Sequence, residues 1–139
     1  MIMENMFEQD IHNALNKILQ DSYKHINIID IYPRDKSREV LGLLLDYACK
    51  GQTHAYINIA RRLIMQIPHA WIKENFIPVA SSIIDFNDDW EYRRMLEVTE
   101  LLSQELLAWG VQIGQSSDDP EVKEASVDFE EKLLNPNNN

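Results

Sequence analysis

The residues with most chemistry to offer are four histidines, one cysteine and a dense set of carboxylates, and their spacing decides which chemistry is open to them. His12, His25, His54 and His69 are scattered, with no His-Glu-x-x-His or Glu-x-x-His pair to set two ligands on one helix face, so no transition-metal site is expected. Cys49 is the only cysteine, which excludes an internal disulfide and a cysteine-only zinc site. It stands beside Lys50 at the end of an expected helix, where the dipole raises a thiol pKa, and it reads as a small apolar filler. Glu8 with His12, and Glu121 with Lys123, read as exposed helix residues, and His69 as a partly buried residue at a helix start. Gly42, Gly51, Gly110 and Gly114 fit neither a dinucleotide fingerprint nor a phosphate loop, and no Gly-x-Ser-x-Gly is present. The expectation is a protein that is not an enzyme and uses no cofactor.

The carboxylates are the better lead. The segment Asp85-Phe86-Asn87-Asp88-Asp89-Trp90-Glu91 resembles a calcium loop at its first, third and fifth places. It fails at the sixth, where Trp90 replaces the turn glycine, and at the twelfth, where Leu96 replaces a bidentate carboxylate. An acidic cap at the start of a long helix explains the same residues. A wider asymmetry surrounds it: up to Ile84 nine acidic residues meet nine lysines and arginines, whereas from Asp85 onward fourteen acids face only Arg93, Arg94, Lys123 and Lys132. The whole net charge of -10 therefore belongs to the C-terminal part. A field of that sign repels nucleic acid and anionic lipid and attracts cationic protein surfaces. The basic clusters Arg34-Lys36-Arg38, Arg61-Arg62 and Arg93-Arg94 are small, and each adjacent arginine pair lies on an apolar helix, where one member is expected to meet a neighbouring carboxylate.

The elements that must position these groups are helical. Apolar residues recur at steps of three and four through most of the chain, which predicts an all-α fold of about six helices. A first helix over about Glu4–Ser22 buries Phe7, Ile11, Leu15, Ile18 and Leu19. The stretch His25–Pro33 alternates and is expected to be an extended, packed connector, with a short strand as its alternative. A second helix, capped by Asp35 or Ser37 and closed by Gly51, buries Val40, Leu41, Leu44, Leu45 and Ala48. A third starts at Thr53 with Tyr56, Ile57, Ala60, Leu63, Ile64 and Ile67 inward. A fourth follows Pro68, with Trp71, Ile72, Phe76, Val79, Ala80, Ile83 and Ile84 inward, and is expected to kink or split at Pro78. From Asp88 an unbroken helix carries Met95, Val98, Leu102, Leu106 and Trp109 to a left-handed cap at Gly110. The last helix, capped by Asp118 with Pro120 in its first turn, buries Val122, Ala125, Phe129 and Leu133.

Length and composition suit a single helical domain over residues 1–134, followed by a disordered tail over 135–139. No membrane span and no signal-type start are evident, so a cytoplasmic location is expected. Ile59-Ala60-Arg61-Arg62-Leu63-Ile64 and Glu91-Tyr92-Arg93-Arg94-Met95-Leu96 lie 32 residues apart, near the period of helical-pair repeats. Antiparallel helical pairs in a HEAT-like layer, or an irregular bundle, would both accommodate this spacing.

Ile67-Pro68-His69-Ala70-Trp71-Ile72, Asp89-Trp90-Glu91-Tyr92-Arg93-Arg94-Met95-Leu96-Glu97 and Ser117-Asp118-Asp119-Pro120-Glu121-Val122 together resemble small HEAT-like helical proteins of bacteria, some encoded as immunity partners of polymorphic or contact-dependent toxins. The likeness covers about residues 53–129, and its motifs are packing motifs that carry no binding residue across. The resemblance implies an immunity protein that neutralises a basic, nuclease-type toxin. The acidic residues Asp85, Asp88, Asp89, Glu91, Asp118, Asp119 and Glu121, with Trp90 and Tyr92 as aromatic anchors, would be its partner-binding residues, in two loops that share one end of the bundle only if the intervening helices place them there. The alternative is a helical adaptor or homo-oligomeric scaffold that binds through an apolar helix face.

Overall fold

The computed structural model describes residues 2–51 and 53–135, so most of the expected tail, 136–139, lies outside the described residues. The fold is all-α. Among the described residues there are seven α-helices, α1 (Ile2–Ile18), α2 (Arg34–Lys50), α3 (His54–Ile64), α4 (His69–Ile83), α5 (Asp89–Leu102), α6 (Gln104–Gln115) and α7 (Pro120–Leu134), and two 3-10 segments, Ser22–Lys24 and Ile26–Ile31. The chain divides into two compact units between Ile83 and Ile84. That boundary coincides with the change in charge balance: the first unit holds nine acidic and nine basic residues, the second fourteen and four.

In the first unit α2 is the central element and packs against α1, α3 and α4. Its apolar stripe Val40, Leu41, Leu44, Leu45 and Ala48 is wholly buried, as are Ile11 and Leu15 of α1, Ala60 and Ile64 of α3 and Phe76 and Ala80 of α4. Each buried leucine or isoleucine contributes roughly 1.5–3 kcal/mol over an exposed one. The first helix stops at Ile18, short of the expected Ser22, and Asp21 takes a left-handed conformation (φ 59°) with its amide donating to Asn16 Oδ1 at 3.0 Å. The segment after it is not extended. Ile26–Ile31 winds in short 3-10 turns kinked at Ile28 (φ −127°, ψ 26°), and a three-residue spacing puts Ile26 and Ile29 inside while Ile31 stays 71% exposed. Neither Asp35 nor Ser37 caps α2, whose N-cap is Pro33; the buried Ser37 hydroxyl instead donates to the Ile29 carbonyl at 2.7 Å.

Two residues in this unit cost helix stability. Gly42, in the middle of α2, has φ in the ordinary range, and an added Cβ would meet Ile83 and Val79 side-chain atoms no closer than 3.5 Å. Packing does not demand the glycine, which costs about 1 kcal/mol relative to alanine. Pro78 lies inside α4, which nonetheless runs through it unsplit. It lacks an amide and crowds the Glu74 carbonyl, at a cost of about 3 kcal/mol.

The second unit is a three-helix arrangement of α5, α6 and α7, each packed on the other two. The long helix expected from Asp88 through Trp109 is broken at Ser103, whose backbone is extended (φ −168°, ψ 153°) and whose hydroxyl accepts the Leu106 amide at 3.1 Å. Turning there folds α6 back along α5, so that Leu106, Leu107 and Val111 find a core that a straight helix would carry them away from. Gly110 is therefore no cap. It sits inside α6 with an ordinary φ, and an added Cβ would lie 2.7 Å from Leu96 Cδ2.

Tyr92 locks this hairpin. Its ring is fully buried, and its hydroxyl donates to the Gly110 carbonyl at 2.7 Å and accepts the Gly114 amide at 3.1 Å. Those are the two groups that one turn of helix joins, so the phenol bridges a rung of α6 from the side. The approach requires Gly114, where an added Cβ would lie 2.7 Å from both Tyr92 Cζ and Ser126 Cβ. Burial, partly offset by the Gly114 amide, pushes the Tyr92 pKa up to about 12.

Candidate interaction site

The acidic residues marked out in the sequence fall at two helix starts of the second unit. At the first, Asp88 is the N-cap of α5, and its Oδ1 accepts the amides of Trp90 (3.0 Å) and Glu91 (3.1 Å). Asp85 accepts the Asn87 amide at 3.0 Å, and Glu91 reaches back to accept the Asp85 amide at 3.2 Å, a variant of the capping box that closes the loop on itself. Phe86 anchors the loop by an edge contact with Trp109 of α6 at 6.0 Å. At the second start the cap is Asp119, not Asp118. Asp119 Oδ1 accepts the amides of Glu121 (2.8 Å) and Val122 (3.1 Å), because Pro120 takes the first helical position and its fixed φ suits that place.

The two starts share one end of the unit. Arg93 of α5 pairs with Asp128 of α7 at 3.0 Å, and two turns further along α5 and about one turn further along α7 Glu100 pairs with Lys132 at 2.9 Å. The pairs advance in the same chain direction, so α5 and α7 run parallel, with α6 returning between them. The break at Ser103 is what brings this about, since with one long helix in place of α5 and α6 the last helix would start at the opposite end.

Asp85, Asp88, Glu91 and Asp119 are occupied in holding backbone amides, and the partial positive charge of each helix start offsets part of theirs. Asp89, Asp118 and Glu121 are exposed beside them. Trp90 is 51% exposed, with the Arg94 guanidinium over its ring at 4.4 Å. Tyr92 is withdrawn from the surface altogether and is a core residue, not an anchor. Of the adjacent arginine pair, Arg93 makes the carboxylate pair expected of one member.

Elsewhere, Cys49 is buried in α2 as a core filler, and His69 is exposed at the start of α4 instead of partly buried. His12 stacks on Tyr23 with centroids 4.0 Å apart, and burial lowers its pKa against the opposing pull of Glu8. Among the described residues no group of three or more histidines, cysteines or carboxylates is arranged to hold a metal ion, and no helix is long and apolar enough to cross a membrane. One feature escaped the sequence reading: a groove of about 570 Å³ between α2 and α4 in the first unit. The signal for it was present in Gly42 and Pro78, two residues that helix energetics disfavour. No protein-family model, curated protein or solved structure matches the chain.

Proposed function

We propose that the protein is a non-enzymatic binding module that docks onto a basic protein surface through the acidic end of its second unit, as an immunity protein would cap the substrate-binding face of a nuclease-type toxin. The observation that carries this reading is the parallel course of α5 and α7, which gathers Asp89, Asp118 and Glu121, with the capped acids and Trp90, at one end of a unit that holds fourteen acidic and four basic residues. Carboxylates there would take the places of phosphates, and Trp90 would supply an apolar contact within a charged rim.

The test is co-expression with the product of the adjacent gene, followed by association kinetics from 50 to 500 mM salt. Asp89→Lys, Asp118→Lys and Glu121→Lys together leave both caps intact and are expected to weaken the complex by more than tenfold, mainly through a slower, less salt-dependent association. A complex indifferent to salt and to this triple reversal, or a neighbouring product without toxin character, overturns the reading. The alternative, a homo-oligomeric scaffold, draws support from Val127 and Leu134, exposed by 60% and 72% and seven residues apart on α7. A salt-insensitive homodimer in light scattering would select it.

A further inference from the structure

The groove of the first unit lies along one stripe of α2, from Asp35 through Gly42 to Asp46, and is walled on the other side by Pro78, Ser82 and Ile83 of α4. At a rise of 1.5 Å per residue the α2 stripe is about 16 Å long, or three helical turns. Its floor is apolar, and its volume falls within the range of built binding sites. The two residues that local helix energetics would reject, Gly42 in α2 and Pro78 in α4, both face it. Gly42 has no packing reason to be glycine, whereas an added Cβ at Gly110 or Gly114 would come within 2.7 Å of a neighbouring side chain. Its effect is to keep the middle of the groove open, and departures from local rules of this kind concentrate at functional sites.

The charges around the groove specify what it takes. Asp35, Glu39 and Asp46 line it against a single cation, Arg38, and Arg38 Nε is held by the buried Asn75 at 2.8 Å, with Asn75 itself donating to the Trp71 carbonyl at 2.9 Å. Glu39 and Asp46 also meet Lys36 at 3.8 Å and Lys50 at 3.7 Å, solvated pairs within one helix that yield readily to a competing cation. We propose that this groove binds a short amphipathic helical segment of a partner protein, apolar toward Leu43, Val79 and Ile83 and flanked by lysine or arginine side chains that meet the three carboxylates. The site lies within the first unit and is independent of the docking proposed for the second.

A fluorescein-labelled 12-residue amphipathic peptide of leucine and lysine serves as the probe, with fluorescence anisotropy at 150 mM salt as the readout. Saturable binding is expected, at least tenfold weaker for a peptide of scrambled order and for one with glutamate in place of lysine. Gly42→Leu, which fills the groove, and Ser82→Arg, an exposed change that sets a like charge on its wall, are each expected to weaken binding at least tenfold. The Asp89, Asp118 and Glu121 reversal is expected to leave it unchanged. The proposal is overturned if the peptide does not saturate, if the glutamate peptide binds as well, or if both groove variants bind like the wild type. Self-association abolished by Ser82→Arg would assign the groove to a second copy of the chain instead.

Discussion

The same substitution, glycine to alanine, should have opposite consequences at two helix-interior positions of this protein. At Gly114 the new Cβ would sit 2.7 Å from Ser126 Cβ and from Tyr92 Cζ, about 1 Å inside ordinary contact, and one of these neighbours is held by the backbone of α7. Because both contacts are violated at once, relief requires α6 to move away from α7 and the phenol to give up its bonds to Gly110 and Gly114. Overpacking costs about 1–3 kcal/mol, and the two hydrogen bonds of Tyr92 are worth about 1 kcal/mol each. Against this stands a gain of about 1 kcal/mol from replacing a helical glycine. The net expectation is a loss of about 2–4 kcal/mol, most of the margin available to so small a unit. At Gly42 the nearest atoms to a Cβ are 3.5 Å away, so only the propensity gain remains and Gly42→Ala should stabilise by up to about 1 kcal/mol. Urea unfolding followed by far-ultraviolet circular dichroism measures both, with unchanged m-values as the check that stability alone has moved. A Gly114→Ala protein as stable as the wild type would refute the buried phenol as the lock of the second unit.

Two further expectations follow from the same unit. Asp88→Ala and Asp119→Ala should each lower stability by about 1 kcal/mol in thermal unfolding, because each leaves two amides without their carboxylate, whereas Asp118→Ala should change it by less than about 0.5 kcal/mol. Tyr92 ionises near 10 in the unfolded chain and near 12 in the folded one, so between those values the folded state holds more protons and its stability falls as pH rises. Up to about 2.7 kcal/mol is lost over that interval, and Tyr92→Phe should flatten the alkaline limb of a plot of unfolding midpoint against pH.

Much of the helical architecture was legible from periodicity, because every segment that buries a stripe must repeat it at three and four residues. Val40 to Ala48 and Val122 to Phe129 show the rule at its clearest, and both stripes are buried in full. Where the reading failed, tertiary packing had overridden a local pattern. Ser103 is neither glycine nor proline, and its one local signal is a hydroxyl able to cap the Leu106 amide; the need to lay Leu106 and Val111 into the core turns that option into a break. Tyr92 was placed at the surface because it lies among acids in sequence, yet its position on α5 points it into the core. The acidic residues themselves were legible as caps, but which of Asp118 and Asp119 would serve depended on where Pro120 lets the helix begin. The gathering of both starts at one end was hidden, since it follows from the turn at Ser103.

A unit with so large a surplus of one sign works against its own compaction, and only the short reach of the field in physiological salt, about 8 Å, keeps the strain local. Added electrolyte therefore acts on this part of the molecule twice and in opposed senses. It eases the mutual repulsion of the carboxylates and so tightens the three-helix unit, while blunting the attraction by which that unit would capture a cationic partner. The neutral first unit feels neither effect to the same degree, which makes ionic strength a means of addressing one half of the chain without disturbing the other.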